Sequence, residues 1–187
     1  AKFVPNTYTI RYNANLADAT GTVDAQEYTY DTADFKLTTD TFTSTTKDFL
    51  GWSLTADSTT ATYASGAAID DALKAAMTAS ADETVTLYAV WEDKPAVSMT
   101  FNAGEGAFAG GEKEKVESVR PGAQNALPAA PTRAGYTFDG WTAGSGDYPD
   151  LGKDATQTPV AVGGKNVTYS AKFVPNTYTI RYNANLA

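Results

Sequence analysis

The sequence predicts a β-rich α+β protein, and three observations carry that prediction. The 187 residues include 28 Thr and 11 Tyr, two residue types that favour strands. Several stretches alternate apolar and polar side chains, the period of two that is typical of half-buried strands. One stretch near residue 70 has the period of an amphipathic helix instead. The chain should therefore form sheets with a small helical contribution.

The composition narrows the possible functions before any motif is considered. The chain has no Cys and no His, and its formal charge is −8. Without Cys there is no disulfide, thiol nucleophile or thiolate metal site, and without His the commonest general base is missing. The acidic balance argues against a nucleic-acid partner. We therefore expect no enzyme activity, no catalytic residue, no metal site and no cofactor.

Two targeting features are also missing from the sequence pattern. No apolar run approaches the roughly 20 residues that cross a bilayer, so we expect no membrane span in this segment. No charged and apolar regions mark a signal peptide, so we expect any export signal to lie outside this piece.

A long repeat dominates the organisation of the chain. Residues 1–17 read AKFVPNTYTIRYNANLA, and residues 171–187 are identical to them. Two explanations are open: a tandem array of near-identical units, or one copied segment. We favour the array, in which modules contact only their neighbours.

A weaker repeat divides the period into two homologous modules. Residues 12–14 and 49–52 correspond to 101–103 and 138–141 with an offset of 89, and residues 85–91 correspond to 167–173 with an offset of 82. We assign 6–92 to module 1 and 93–174 to module 2. Residues 1–5 should be the last strand of a preceding repeat, and residues 175–187 the start of a following one.

The elements of module 1 follow from its periodicities. Alternation predicts strands over Thr7–Asn13 and Val23–Asp31, which form a hairpin, and a short third strand over Phe49–Trp52. Ala67–Ala79 has one apolar face at helical spacing. Thr84–Trp91 alternates again and closes the module.

Module 2 repeats this plan with a different connection before its last strand. We predict strands over Met99–Asn102, Glu112–Val119, Gly135–Trp141 and Asn166–Phe173. No convincing helix follows the third strand, and only Tyr148–Thr158 offers room for a short one.

The stretch from Pro128 to Trp141 is the most specific pattern in the chain. It reads Pro-x-x-Pro-Thr-Arg-x-Gly-Tyr-x-Phe-x-Gly-Trp, and a closing strand like residues 87–91 follows such a block. The pattern resembles the Listeria–Bacteroides repeat, a family that includes the B repeat of listerial internalins and many Gram-positive surface proteins. Module 1 keeps Gly51-Trp52 but lacks the Pro-x-x-Pro connector. The resemblance implies two tandem β-grasp, ubiquitin-like modules strung end to end, outside the cell and without catalytic residues.

The residues that carry this resemblance are predicted to be structural. We expect core or domain-junction packing for the three tryptophans rather than sugar stacking. We call the following the signature residues: Phe49, Gly51, Trp52, Leu87, Trp91, Gly135, Tyr136, Phe138, Gly140, Trp141 and Phe173.

Three weaker patterns favour structural interpretations. Ser44–Lys47 matches the Ser-x-x-Lys of penicillin-recognising enzymes, but their other elements are missing, so we interpret it as a polar loop. Gly104-x-Gly106 resembles a dinucleotide fingerprint, but no amphipathic helix follows, so we interpret it as a hairpin turn. The carboxylates lack the spacing of a calcium loop and favour solvated acidic loops, with a weak calcium site as the alternative.

Function follows from architecture. The first hypothesis is a non-catalytic stalk or spacer of a bacterial cell-surface protein, anchored to the cell wall by a region outside this segment, with neighbouring repeats as partners. The alternative is a module that binds host glycan, mucin or protein through multivalency. An exposed cluster of Tyr and Trp on one face of both modules would favour the second hypothesis.

Overall fold

The computed structural model describes residues 1–157 and 164–183, which fall into two compact units. Unit 1 covers Ala1–Lys94 and unit 2 covers Pro95–Ala187. Each unit contains one mixed β-sheet with its own buried core. The expectation of a β-rich chain with little helix is confirmed.

The sheet of unit 1 has four strands. They are β1 (Thr7–Asn13), β2 (Gln26–Thr29), β3 (Lys47–Ser53) and β4 (Thr84–Asp93), in the order β2-β1-β4-β3. β1 is antiparallel to β2 but parallel to β4, and β3 is antiparallel to β4. The first and last strands of the unit are therefore parallel neighbours at the centre of the sheet.

Helix α1 (Asp71–Ala79) covers this sheet with two buried side chains, Leu73 and Met77. The prediction that the helix begins at Ala67 is wrong. The Asp70 carboxylate accepts a 2.8 Å hydrogen bond from the backbone N–H of Leu73 and caps the helix there. Ala67 cannot join the helix, because its carbonyl accepts a hydrogen bond from the N–H of Leu37.

The second strand of unit 1 is shorter than the sequence predicts. It ends at Thr29, and Asp31 has a φ of +63°, which breaks the extended conformation. The N–H of Thr32 closes a turn on the carbonyl of Thr29. The predicted range Val23–Asp31 is therefore wrong at both ends.

Unit 2 has five strands. They are β5 (Val97–Asn102), β6 (Glu114–Val119), β7 (Tyr136–Ala143), β8 (Leu151–Gly152) and β9 (Val167–Pro175), in the order β6-β5-β9-β7-β8. β5 is parallel to β9, and the other pairs are antiparallel. Among residues 148–157, where the sequence offered room for a helix, the structure has β8 instead; Thr158 lies outside the described residues.

A β-bulge occurs at the same place in both units. The pairing register shifts between Phe49 and Gly51 in β3, and between Phe138 and Gly140 in β7. Gly51 and Gly140 have φ values of +144° and +122°, which side chains disfavour. A bulge turns the strand locally and re-aims the next side chain, here the tryptophan of each Gly-Trp pair.

Candidate functional site

The signature residues of unit 1 form one aromatic cluster around Trp52. This side chain is 0% exposed, and its ring lies 4.7 Å from that of Tyr12 and 4.8 Å from that of Phe49, measured between centroids. Phe49 also contacts Trp91 at 5.7 Å. The cluster thus joins β1, β3 and β4, the three strands that fix the sheet.

Unit 2 builds the corresponding cluster around Trp141, which is 3% exposed. Its ring lies 5.1 Å from Phe101 and 5.1 Å from Phe138, and Phe138 contacts Phe173 at 6.0 Å. These positions match those of unit 1 at the sequence offsets. Trp52 and Trp141 therefore occupy equivalent places in two cores.

The closing strands differ at one signature position. Trp91 is half-buried, and its indole Nε1 donates a 2.8 Å hydrogen bond to the carbonyl of Ala14. Phe173 has no such donor, and its ring packs on Gly106, where a Cβ atom would lie 2.6 Å from it. Leu87 is 0% exposed and belongs to the core of unit 1.

Gly135 and Tyr136 lie where β7 begins. Gly135 has a φ of +78°, and the guanidinium of Arg133 lies 3.6 Å from the centroid of the Tyr136 ring. Arg133 also forms an ion pair with Glu105. A cation over an aromatic face is attracted by the ring quadrupole, so this contact ties the loop of Glu105 to the start of β7.

The Ser44–Lys47 motif lies in a hydrogen-bonded loop that leads into β3. The Ser44 hydroxyl donates a 3.0 Å hydrogen bond to Asp18 and accepts from the N–H groups of Thr46 and Lys47. The hydroxyls of Thr46 and Ser44 lower the pKa of Asp18. The Lys47 ammonium pairs with Asp93 rather than with Ser44.

The glycine motif forms a turn after the first strand of unit 2. The side-chain oxygen of Asn102 accepts a 2.7 Å hydrogen bond from the N–H of Gly104, whose φ is +57°. Unit 1 has the same turn, where Asn13 accepts from Asn15 at 2.8 Å and Asn15 has a φ of +52°. Asparagine tolerates a positive φ better than most residues, which explains why Asn15 can stand where unit 2 has Gly104.

The structure does not gather the carboxylates into a site. Within residues 1–157 and 164–183, no group of three or more acidic side chains is placed to hold a metal ion. Asp147 pairs with Lys165 at 2.9 Å, and this hydrogen bond lowers the pKa of Asp147 and raises that of Lys165. Asp150 accepts a 2.8 Å hydrogen bond from the N–H of Ala143.

The surface of unit 1 has clefts, but they are small. A cleft of about 310 Å³ lies between Tyr28, Asp34, Ile69 and Lys74. Another of about 260 Å³ is lined by residues that include Pro5, Tyr8 and Tyr30. In the larger cleft, the Lys74 ammonium forms an ion pair with Asp31 at 3.9 Å.

Sequence reasoning missed two residues that follow the closing strands. The N–H of Lys94 donates a 3.0 Å hydrogen bond to the carbonyl of Thr46, and that of Asn176 donates a 2.9 Å bond to Gly135. The two bonds are equivalent at offsets of 82 and 89. Comparing residues at these offsets is the signal that could have found them. Both bonds continue the pairing one residue beyond the closing strand of the unit.

Residues at the two ends of the described chain are the most exposed apolar ones. In the two end segments, residues 1–5 and 175–183, the exposed large apolar side chains are Phe3, Val4, Tyr178, Ile180 and Tyr182. Elsewhere among the described residues, they are Leu50, Val116 and Val174.

Comparison with known families identifies part of unit 2. Residues 98–172 match the family model of the Listeria-Bacteroides repeat domain, so the resemblance predicted from the sequence is confirmed. The match runs from β5 into β9. No curated protein and no solved structure matches the chain. The matched repeat family is generally non-catalytic and occurs in surface proteins.

No helix in the described part of the chain is long and apolar enough to cross a bilayer.

Proposed function

We propose that this chain is a non-catalytic spacer segment of a bacterial cell-surface protein, built from tandem β-grasp modules. The observation that carries the proposal is the parallel pairing of the first and last strands in both units. A family match to a surface-protein repeat over residues 98–172 supports the cellular setting.

Parallel pairing determines where the chain begins and leaves a unit. In unit 1, Thr9 lies opposite Thr84 and Asn13 opposite Tyr88, and β4 then continues to Asp93. At roughly 3.3 Å per residue, the ten residues of β4 rise about 30 Å along the sheet. Thr7 and Asp93 therefore lie toward opposite ends of unit 1.

Unit 2 has the same directionality. Met99 lies opposite Val167 and Asn102 opposite Ser170, and β9 continues to Pro175. A module with its ends at opposite poles adds its own length to a tandem array, whereas a module with adjacent ends does not.

The boundary between the units is short. β4 ends at Asp93 and β5 begins at Val97, so three residues, Lys94 and Pro95 among them, separate the last strand of unit 1 from the first strand of unit 2. The Lys94 ammonium donates a 2.7 Å hydrogen bond to the carbonyl of Ser44, in addition to its backbone bond. Because proline fixes φ on the other side, we propose a semi-rigid junction, in which stiffness turns the number of repeats into reach.

The proposed array places both end segments in other modules. Residues 1–5 would be the last strand of a preceding repeat, and residues 175–187 would begin a following one. The identity of residues 1–17 and 171–187 supports this placement. The domains in this proposal are 6–92 and 93–174.

The binding alternative receives no comparable support. A glycan platform needs exposed aromatic faces, but Trp52 and Trp141 are buried and Trp91 is half-buried. The exposed aromatic rings of the described residues, those of Phe3, Tyr178 and Tyr182, lie in the two end segments and not on one face of both modules. A screen of this chain against host glycans, mucin and matrix proteins tests the alternative directly. Binding that a substitution in a surface residue removes would favour it over the spacer.

Small-angle scattering tests the proposed shape. We expect a maximum dimension clearly above twice the width of the particle, because the modules should follow one another end to end. A compact particle would contradict the spacer.

Distances within and across the modules give a sharper test, since the chain has no native cysteine. Dyes at Thr7→Cys and Glu92→Cys should report about 30 Å within unit 1, from the strand rise. Dyes at Thr7→Cys and Lys172→Cys should report a distance greater than this. Equal or shorter values for the second pair would exclude the end-to-end arrangement.

A further inference from the structure

We propose that residues 177–183 are a second copy of strand β1, and that another molecule of this chain accepts them when its own β1 is displaced. We call residues 177–183 the duplicate segment, and the position between β2 and β4 the β1 slot. The proposal concerns an interaction between copies of the chain. It rests on the strand equivalence used in the proposed function, and it concerns the 187-residue chain as described, in which residues 177–183 belong to neither sheet.

The duplicate segment has the sequence that the β1 slot selects. Residues 177–183 read TYTIRYN, identical to Thr7–Asn13. Identical sequence means identical side chains in identical register, so no contact of β1 would be lost on exchange. A match of this kind is far more specific than an unpaired apolar strand.

The slot buries the side chains that the duplicate segment exposes. Tyr8 is 5% and Ile10 is 0% exposed in the core of unit 1, whereas Tyr178 and Ile180 are 72% and 75% exposed. Exchange would bury Tyr178 and Ile180 and expose the Tyr8 and Ile10 that they displace, so the two strands are equivalent occupants of the slot.

The third matching side chain adds polar contacts. Tyr12 donates a hydrogen bond from its hydroxyl to Gln26 and places its ring 4.7 Å from that of Trp52. Its counterpart Tyr182 is 91% exposed. In the slot, Tyr182 would gain both contacts.

The backbone around the segment is compatible with this exchange. In unit 1, the carbonyl of Asn6 accepts a 2.9 Å hydrogen bond from the N–H of Tyr30. The equivalent residue, Asn176, uses its N–H to bond Gly135 of its own unit. The slot needs the carbonyl of Asn176 and unit 2 needs its N–H, so one residue can serve both sheets.

A short tether joins the duplicate segment to β9. One residue, Asn176, separates them, which gives a reach of about 7 Å beyond Pro175. The same two residues, Pro and Asn, precede β1 at positions 5 and 6. The donated segment can therefore enter the slot of another copy with the same preceding residues that β1 has.

The two strands compete for one slot. The native β1 is tethered to its own unit and has the higher effective concentration, so the unsubstituted chain should stay monomeric. A substitution that expels β1 should reverse the competition. Each accepted segment leaves another slot and another segment available, so assembly should be head-to-tail and open-ended.

The identical segments provide a matched set of full-length variants. Ile10→Asp places a charge in the core and should expel β1, whereas Ile180→Asp places the same charge in the duplicate segment. We expect Ile10→Asp to form oligomers of two or more copies, with a mass that rises with concentration in analytical ultracentrifugation. The unsubstituted chain and Ile180→Asp should remain monomeric.

The double variant separates strand exchange from general stickiness. Ile10→Asp with Ile180→Asp should be monomeric, with rapid hydrogen exchange in β4, because neither strand can occupy the slot. Oligomers of the double variant equal to those of Ile10→Asp would overturn the proposal. A monomeric Ile10→Asp variant, whether unit 1 is folded or unfolded, would overturn it as well.

A crosslinking test avoids substitution in the core. Thr9 lies opposite Glu27, so Thr179 of one molecule should lie opposite Glu27 of another. Equimolar Glu27→Cys and Thr179→Cys chains, equilibrated in mild denaturant and then oxidised, should give covalent heterodimers. Thr177→Cys is the control, because a cysteine two residues out of register is too distant to bridge. Equal yields for positions 177 and 179 would contradict seating in the β1 register.

Discussion

The two units solve the same packing problem with different connections. Both have a parallel pair at the centre of the sheet, a β-bulge and a buried Gly-Trp pair. Unit 1 reaches its last strand through α1, which buries Leu73 and Met77. In unit 2, the described residues between β7 and β9 contain β8 and the buried Tyr148.

This difference separates what the fold requires from what it tolerates. The bulge and the tryptophan occur at matching positions in both units, whereas the connection contains a helix in unit 1 and a short strand in the described part of unit 2. In unit 2, the Tyr148 hydroxyl donates a 2.7 Å hydrogen bond to the carbonyl of Lys165, which fixes this connection to the start of β9. A sheet needs its face covered, and either solution removes apolar surface from water.

Substitution of the two core tryptophans should give the largest loss of stability, and the loss should be similar in both units. Trp52→Ala and Trp141→Ala should each lower the free energy of unfolding by about 3–5 kcal/mol, because each empties the centre of an aromatic cluster. Chemical denaturation followed by hydrogen-exchange mass spectrometry would assign each loss to its unit. Unchanged unfolding of unit 2 in Trp141→Ala would refute the equivalence of the two cores.

A second substitution at the same position sharpens this test. Trp52 Nε1 is buried, and no hydrogen-bond partner lies among the described residues. Trp52→Phe therefore removes an unsatisfied donor together with some packing, and we expect it to cost much less than Trp52→Ala.

The bulge glycines should give the next largest effect. A Cβ atom at Gly51 would lie 2.5 Å from the carbonyl oxygen of Tyr63, and at Gly140 it would lie 2.2 Å from that of Leu151. Because φ is also positive, Gly51→Ala and Gly140→Ala should each cost about 2–4 kcal/mol in thermal or chemical unfolding. Gly135→Ala is the control: its Cβ would meet no atom within 4 Å, so we expect roughly 1 kcal/mol from the backbone alone. Equal costs at all three positions would show that the close approach is unimportant.

The helix cap should affect unit 1 alone. Asp70→Ala should lower the free energy of unfolding by about 1 kcal/mol, because the N–H of Leu73 loses its acceptor. Asp70→Asn preserves a capping oxygen and should retain most of the stability. Hydrogen exchange in α1 would measure both effects, and identical exchange in the two variants would contradict the capping role.

The smallest effect on the free energy of unfolding should come from a rise in pH above 10, and it should concern unit 2. Burial raises the pKa of Tyr169 from its usual 10 to about 12. The folded state therefore favours the neutral phenol, and this contribution is fully present below pH 10 and is lost as the pH rises through 12. Denaturant unfolding at pH 8 and pH 11 should show a loss in unit 2.

Tyr169→Phe is the matched variant, because it keeps the ring that stacks on Phe101 at 5.3 Å. It should reduce the alkaline loss in unit 2 and remove the latest step from the tyrosinate absorbance titration. Unit 1 carries Leu87 at the equivalent position, and burial raises the pKa values of Tyr12 and Tyr63 in that unit instead. A titration in which the last step survives in Tyr169→Phe would assign that step to another tyrosine.

Local patterns determined much of each unit. The alternation of Tyr8, Ile10 and Tyr12 predicted β1 with the bounds the structure has, because every second side chain of β1 faces the core. The repeat offsets predicted that Trp52 and Trp141 are equivalent, and the structure buries both in sheets of matching order. These features depend on residues close together in sequence or on direct comparison of two segments.

Tertiary pairing decided where the other elements begin and end, because the hydrogen-bond partner of a residue can lie far away in the sequence. Alanine favours helices, but the carbonyl of Ala67 accepts a hydrogen bond from Leu37, thirty residues earlier in the chain. The helix therefore begins after Ala67. Leu151 forms a strand because it lies opposite Trp141. The sequence by itself determined which side chains are buried in the core. The folded sheet decided which backbone N–H and C=O groups were already paired, and therefore where each element ends.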